Sequence, residues 1–154
     1  VSRLIYLFFL GLSYLIVYIP FHTGTFLDAR FAPDNNITGI AGLVICFLGV
    51  SFAIWARTIL GTNWSGEITV KKGHELIQRG PYSIVRHPIY TGILTAMLGT
   101  AITVGQYKGF ISVIIVFFGY MHKIGMEEKL MMGQFPSQYP AYKQKVKALI
   151  PFIF

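Results

Sequence analysis

The sequence predicts an all-α integral membrane protein: about four transmembrane helices, a long cytoplasmic loop and a C-terminal amphipathic helix. Three observations lead there. Of 154 residues, 54% are hydrophobic and 12% charged, with a mean hydropathy of +0.59, whereas a soluble domain carries roughly 25% charge. Apolar runs close to the ~20 residues needed to cross a bilayer recur along the chain. When those runs are taken as spans, the basic residues sort strongly to one side.

The first run, 4–19, is apolar and aromatic and ends at Pro20. It lacks a small-x-small exit and reads as a retained span rather than a cleaved signal. A polar connector, 21–36, carries Asp28, Arg30, Pro33 and Asp34. The second span is 37–56, closed by Arg57; its Gly39, Gly42 and Gly49 offer surfaces for close helix packing, within the protein or in a dimer. Thr58 to His87 is a loop of about thirty residues, a length uncommon without a function. Spans three and four are 88–104 and 108–124, the last continuing through Glu127-Glu128 into a polar helical extension. Gln138 to Lys147 alternates tyrosine, lysine and apolar residues, the pattern of an amphipathic helix lying on headgroups.

With both ends and the long loop on the cytoplasmic side, that side holds Arg3, Arg57, Lys71, Lys72, Arg79, Arg86, Lys123, Lys129, Lys143, Lys145 and Lys147. The other side keeps Arg30 and Lys108. This bias requires an even number of spans and predicts a multi-pass protein with both termini cytoplasmic. It also accounts for the net charge of +7, because the basic residues interleave with apolar runs instead of gathering on a nucleic-acid-binding face. The single cysteine, Cys46, lies mid-span and permits neither an internal disulfide nor a cysteine metal cluster.

Chemistry concentrates where the loop meets the third span, in Gly80-Pro81-Tyr82-Ser83-Ile84-Val85-Arg86-His87-Pro88-Ile89-Tyr90-Thr91-Gly92. The chain turns at Gly80-Pro81, and Pro88 opens a helix at the position where proline is tolerated. The topology brings this segment to the same face as Glu127-Glu128. Lys123 and Glu127, four apart, share a helical face and can pair. Each residue also has a plainer reading: Arg86 as an interfacial anchor, Tyr82 and Tyr90 as belt aromatics, the two glutamates as a span terminus. For His87 the functional reading leads, since histidine anchors poorly and Pro88 fixes its direction. His74, His87, His122 and the glutamates lack metal-ligand spacing, so no metal is expected. No glycine-rich nucleotide fingerprint follows a strand, which excludes a Rossmann site, and no Ser-His-Asp pattern is readable.

The blocks His74-Glu75-Leu76-Ile77, Gly80-Pro81-Tyr82, Arg86-His87-Pro88-Ile89-Tyr90-Thr91-Gly92 and Glu127-Glu128-Lys129-Leu130, followed by Phe135, Tyr139, Tyr142, Val146 and Ile150-Pro151, resemble the isoprenylcysteine carboxyl methyltransferase family. The resemblance covers roughly 61–151. It implies a single membrane methyltransferase domain over 1–154, with a catalytic region at 61–92 and 122–151 and a non-Rossmann site for S-adenosylmethionine. By family position, His74, Glu75, Leu76, Ile77, Tyr82, His87, Pro88, Ile89, Tyr90 and Glu127 would line the cofactor. Catalytic roles fall to His87, Glu127, Lys123 and Arg86. Lys123 stands where relatives often have arginine, and Phe135-Pro136 replaces a Phe-Gly pair. The implied partners are membrane lipids and a lipophilic small molecule or lipidated substrate, methylated at a carboxylate as in isoprenylcysteine; the short chain implies a prokaryotic inner membrane. The alternatives are phospholipid N-methylation, an isoprenoid- or sterol-type reductase, and a non-enzymatic membrane protein.

Overall fold

A computed structural model describes residues 2–18, 25–61 and 75–153. Five α-helices cover most of them: α1 Ser2–Tyr18, α2 Asn36–Leu60, α3 Pro88–Val104, α4 Tyr107–Gln134 and α5 Tyr139–Lys145. The 25-residue α2 and the 28-residue α4 are long and apolar enough to cross a membrane; α3 and the stretch Leu7–Val17 of α1 are apolar but shorter. The face of α2 away from the bundle exposes Ile37, Ile40, Leu43, Phe47 and Ile54, as expected of a surface turned to lipid rather than water.

Boundaries follow local chemistry. Asn35 caps α2, its side chain accepting the Thr38 N–H at 2.9 Å. Arg57 does not end the helix: α2 runs a further turn to Leu60 and stops at Gly61, whose φ of +53° suits glycine. Pro88 begins α3, where its missing N–H leaves nothing unpaired.

The α2 and α3 backbones touch through paired glycines. A Cβ on Gly49 would lie 2.4 Å from the Ala96 nitrogen, and one on Gly92 2.6 Å from the Gly49 carbonyl; Gly42 and Gly99 repeat the arrangement seven residues away on each helix. Gly42 and Gly49 therefore serve packing inside the protein, while Gly39 has nothing within 4 Å. On the other flank α1 meets α4, where Ser13 and Ser112 are buried and hydrogen-bonded to each other, and Ser112 Oγ also reaches the Ser13 carbonyl at 3.1 Å.

At one end the connector before α2 is tied to the α3–α4 turn. Phe31 N–H donates to Gly105 O at 2.9 Å, Tyr107 N–H to Ala29 O at 3.1 Å, and Lys108 pairs with Asp28 at 2.7 Å. Glu127 lies nineteen positions further along α4, about 28 Å away at 1.5 Å per residue, at the other end. The expected extension of the fourth span is thus one unbroken helix to Gln134.

The tail differs from the expected headgroup-bound helix. α5 is shorter, and its apolar side faces protein: Tyr139, Tyr142 and Val146 are buried together against Leu76, Met131 and Phe135. Ala148 and Leu149 then enter the main core with Val116, Tyr120 and Ile124. The tyrosine spacing marks an apolar stripe correctly; what the stripe faces depends on contacts distant in sequence.

Candidate active site

The site is built on a short segment held from two sides. Gly80, at φ +60°, turns the chain, and Pro81 and Tyr82 are buried in a 3-10 turn. Val85 then pairs in parallel with Lys147. Arg86 N–H donates to Lys147 O at 2.8 Å, His87 N–H to Ala148 O at 3.0 Å, and the Thr91 hydroxyl to Leu149 O at 2.8 Å. The Tyr142 hydroxyl donates to Tyr82 O at 2.6 Å, and burial pushes that phenol well above its ordinary pKa. Tyr142→Phe leaves this buried carbonyl without its partner and is expected to cost about 1–2 kcal/mol, read as a lower thermal midpoint in detergent.

His87 sits at the start of α3 with its ring between two neighbouring carboxylates of α4. Nδ1 is 3.5 Å from Glu127 Oε2 and Nε2 is 3.3 Å from Glu128 Oε1. Burial pulls the imidazole pKa down, but the hydrogen bonds that Glu127 and Glu128 accept outweigh it and hold the group above 6.5. A carboxylate facing each ring nitrogen favours the charged form of the imidazole.

The two glutamates lie beyond the apolar stretch of α4 and have different surroundings. Glu127 Oε1 accepts the Tyr90 hydroxyl at 2.6 Å and stands 4.0 Å from Lys123 Nζ. The ammonium of Lys123 is also 5.4 Å above the Tyr90 ring, and Tyr90 stacks on Tyr120 with centroids 4.4 Å apart. Glu128 is enclosed. Its Oε1 accepts from Arg86 Nε at 2.8 Å and Nη2 at 2.6 Å, and its Oε2 from Lys143 Nζ at 2.6 Å. Burial would raise its pKa, yet the bonds from His87, Lys143 and Arg86 hold it down at about 2. Arg86 also donates through Nη1 to the carbonyls of Lys143 and Val146.

Of the expected catalytic residues, His87, Glu127 and Lys123 thus converge, joined by Tyr90 from the expected cofactor set, and the spacing-based Lys123–Glu127 pair is present. Arg86 instead meets Glu128, at the same oxygen that faces His87 Nε2, and the carbonyls of the tail. The remaining expected cofactor residues flank the cluster in packed apolar groups: Ile77, Tyr82 and Ile89 with Ala56, and Leu76 with Tyr139 and Tyr142. Pro88 is fully buried and Glu75 exposed. His74 lies outside the described residues. The sequence reading passed over Lys143 and Tyr120. Tyr120 falls seven before Glu127 and so shares its helix face; Lys143 carries no local signal.

A histidine–carboxylate cluster at the polar end of helices able to cross a membrane defines the class: a polar site built at the edge of a membrane helix bundle. The phospholipid methyltransferase family model matches residues 37–138, and the chain belongs to that family. It is 31% identical over 122 residues to the protein-S-isoprenylcysteine O-methyltransferase of Saccharomyces cerevisiae, covering 77% of this chain and 51% of the relative. It is 31% identical over 136 residues to the enzyme of that name from Tribolium castaneum, covering 83% and 48%. Among solved structures, a eukaryotic intramembrane Ras methyltransferase, the isoprenylcysteine carboxyl methyltransferase, superposes with a TM-score of 0.75 at 25% identity over 96% of this chain and 52% of that one. The chain therefore spans about half the length of the relatives it matches.

Proposed function

We propose that this protein transfers a methyl group from S-adenosylmethionine to a lipophilic acceptor at the membrane, with carboxyl O-methylation of the isoprenylcysteine type as the reaction. The observation that carries this reading is the cluster of Glu127, Tyr90, His87 and Lys123 at the polar end of apolar helices. Its residues suit the cofactor: the Glu127 side chain is 23% exposed, and a partly open carboxylate beside aromatic rings matches a ligand with a sulfonium and an ammonium. Glu127 and Tyr90 would hold the cationic part, with Leu76, Ile77, Tyr82, Ile89 and backbone amides of the loop beside the remainder.

When bound, the cofactor supplies an electrophilic methyl group on sulfur. The chain's own part is alignment, exclusion of water and charge. A carboxylate acceptor would arrive ionised and need no base, so the chain would have only to align its oxygen with that methyl group and keep water away. An ammonium acceptor would first have to lose a proton, which a carboxylate acceptor does not, and the relatives named for isoprenylcysteine O-methylation favour the carboxylate. Lys123, cationic beside Glu127, would steer the anionic end of the acceptor.

The same reading takes α1, α2, α3 and the apolar part of α4 as four spans with both termini cytoplasmic. The lysines and arginines at the Glu127 end support that orientation, and the acceptor's lipid portion would enter laterally between helices. Calorimetric titration of the detergent-purified protein with S-adenosylhomocysteine tests the reading: binding in the micromolar range is expected, and no binding by folded protein would overturn it.

A further inference from the structure

Adjacent carboxylates with opposite surroundings suggest a division of labour. Glu127 meets Tyr90 and Lys123 and stays partly open, while Glu128, 8% exposed, has both oxygens engaged by Arg86, His87 and Lys143. Arg86 is itself 8% exposed, donates to the carbonyls of Lys143 and Val146, and also meets Tyr139. Glu128 therefore joins the ring of His87 to the tail.

We propose that Glu128 is a positioning residue: it grips His87 at Nε2 so that Nδ1 is aimed at Glu127, and Lys143 tunes the negative charge that Glu128 turns toward the ring. Arg86 belongs to this brace and is a positioning residue rather than a catalytic one. The inference extends the methyltransferase reading, which gives Glu128 and Lys143 no role, and rests on it only for what His87 does in turnover.

The charged and titratable groups around the ring include Glu127 and Glu128 from α4, Arg86 from its own segment, Lys143 from α5 and Tyr90 from α3, with Lys123 reaching it through Glu127; Tyr139 and Tyr142 from α5 face Glu128 and Arg86, and Tyr82 faces Glu127. The carboxylates favour the imidazolium and the cations oppose it. Lys143→Met leaves the charge of Glu128 less neutralised, so the His87 midpoint rises. Glu128→Gln removes that charge, so it falls. Lys143→Arg retains the wild-type value. Because the folded-state pKa lies above 6.5, the protonated ring contributes stability fully below 6.5 and loses it as pH rises through the folded value. Lys143→Met extends that window upward and Glu128→Gln shortens it.

The experiment is NMR titration of the 15N-labelled His87 imidazole in ligand-free protein, for wild type and the three variants. Midpoints are expected in descending order Lys143→Met, wild type with Lys143→Arg, then Glu128→Gln, with the larger shift in Glu128→Gln, which removes a charge in direct contact with the ring. Equal midpoints in folded Lys143→Met and wild type overturn the proposal, even if thermal stability falls, since a purely structural brace would change stability alone. Should Glu128→Gln fail to fold, Lys143→Met against Lys143→Arg decides, because the Lys143 side chain is 48% exposed and fills no core position. Wild-type protein that shows the expected midpoints but does not bind S-adenosylhomocysteine overturns the methyltransferase reading and leaves this one standing.

Discussion

Glu127→Ala is expected to abolish S-adenosylhomocysteine binding and to lower methyl transfer by about a thousandfold or more, while the protein still inserts and folds. Glu127 is more open than Glu128, with its side chain 23% exposed against 8%, so its charge would be available to a cationic ligand. Its contacts to Tyr90, His87 and Lys123 are made at the periphery of the core, so truncation removes charge without opening an apolar cavity. Glu127→Gln refines the test. The amide can still accept from Tyr90 but carries no charge, so affinity should fall nearly as far as in the alanine variant. Calorimetry with turnover of a labelled methyl donor reads both, and unaltered binding in Glu127→Ala would sink the cofactor assignment.

The second large effect is expected from Gly49→Val. The new Cβ would sit 2.4 Å from the Ala96 nitrogen, 2.6 Å from the Gly92 carbonyl and 2.9 Å from the Ala96 Cα, all backbone atoms. No flexible side chain can give way, so α2 and α3 must separate. A loss of about 3 kcal/mol is expected, read by denaturant unfolding in detergent. Gly39→Val is the matched control: nothing lies within 4 Å of its Cβ, and stability should hardly change. Comparable losses in both variants would mean that the glycines act through helix propensity and not through this contact. Because α3 carries Tyr90 in its first turn, any separation also disturbs the cluster, and activity should fall with stability.

What could be read from sequence is what depends on neighbours along the chain. Pro88 marks the start of α3, Gly80-Pro81 the turn, and the spacing of Lys123 and Glu127 their pairing, since each signal is completed within a few residues. The end of α2 is different: Arg57 marks where the chain leaves the apolar layer, but a helix ends where its backbone must turn, at Gly61. The direction of Arg86 was hidden because its partners lie 42 and 60 positions away, and no periodicity encodes such a contact. The tail shows the same limit. Tyr139, Tyr142 and Val146 announce an apolar stripe, yet lipid and the underside of a folded loop are equally good at covering one.

The pairing of Arg86 and His87 with Lys147 and Ala148 also has a consequence in time. Arg86 leaves the ribosome sixty residues before Val146, its partner in the tail. Until that late stretch emerges, the His87 amide has no carbonyl to meet and Glu128 lacks its lysine. The segments that carry Arg86, His87 and Glu128 are all made earlier, so the polar cluster is the last of these parts to be completed as the chain is synthesised. On the proposed reading, a chain arrested before Val146 would lack the contacts that fix Arg86 and His87 and is expected to be inert.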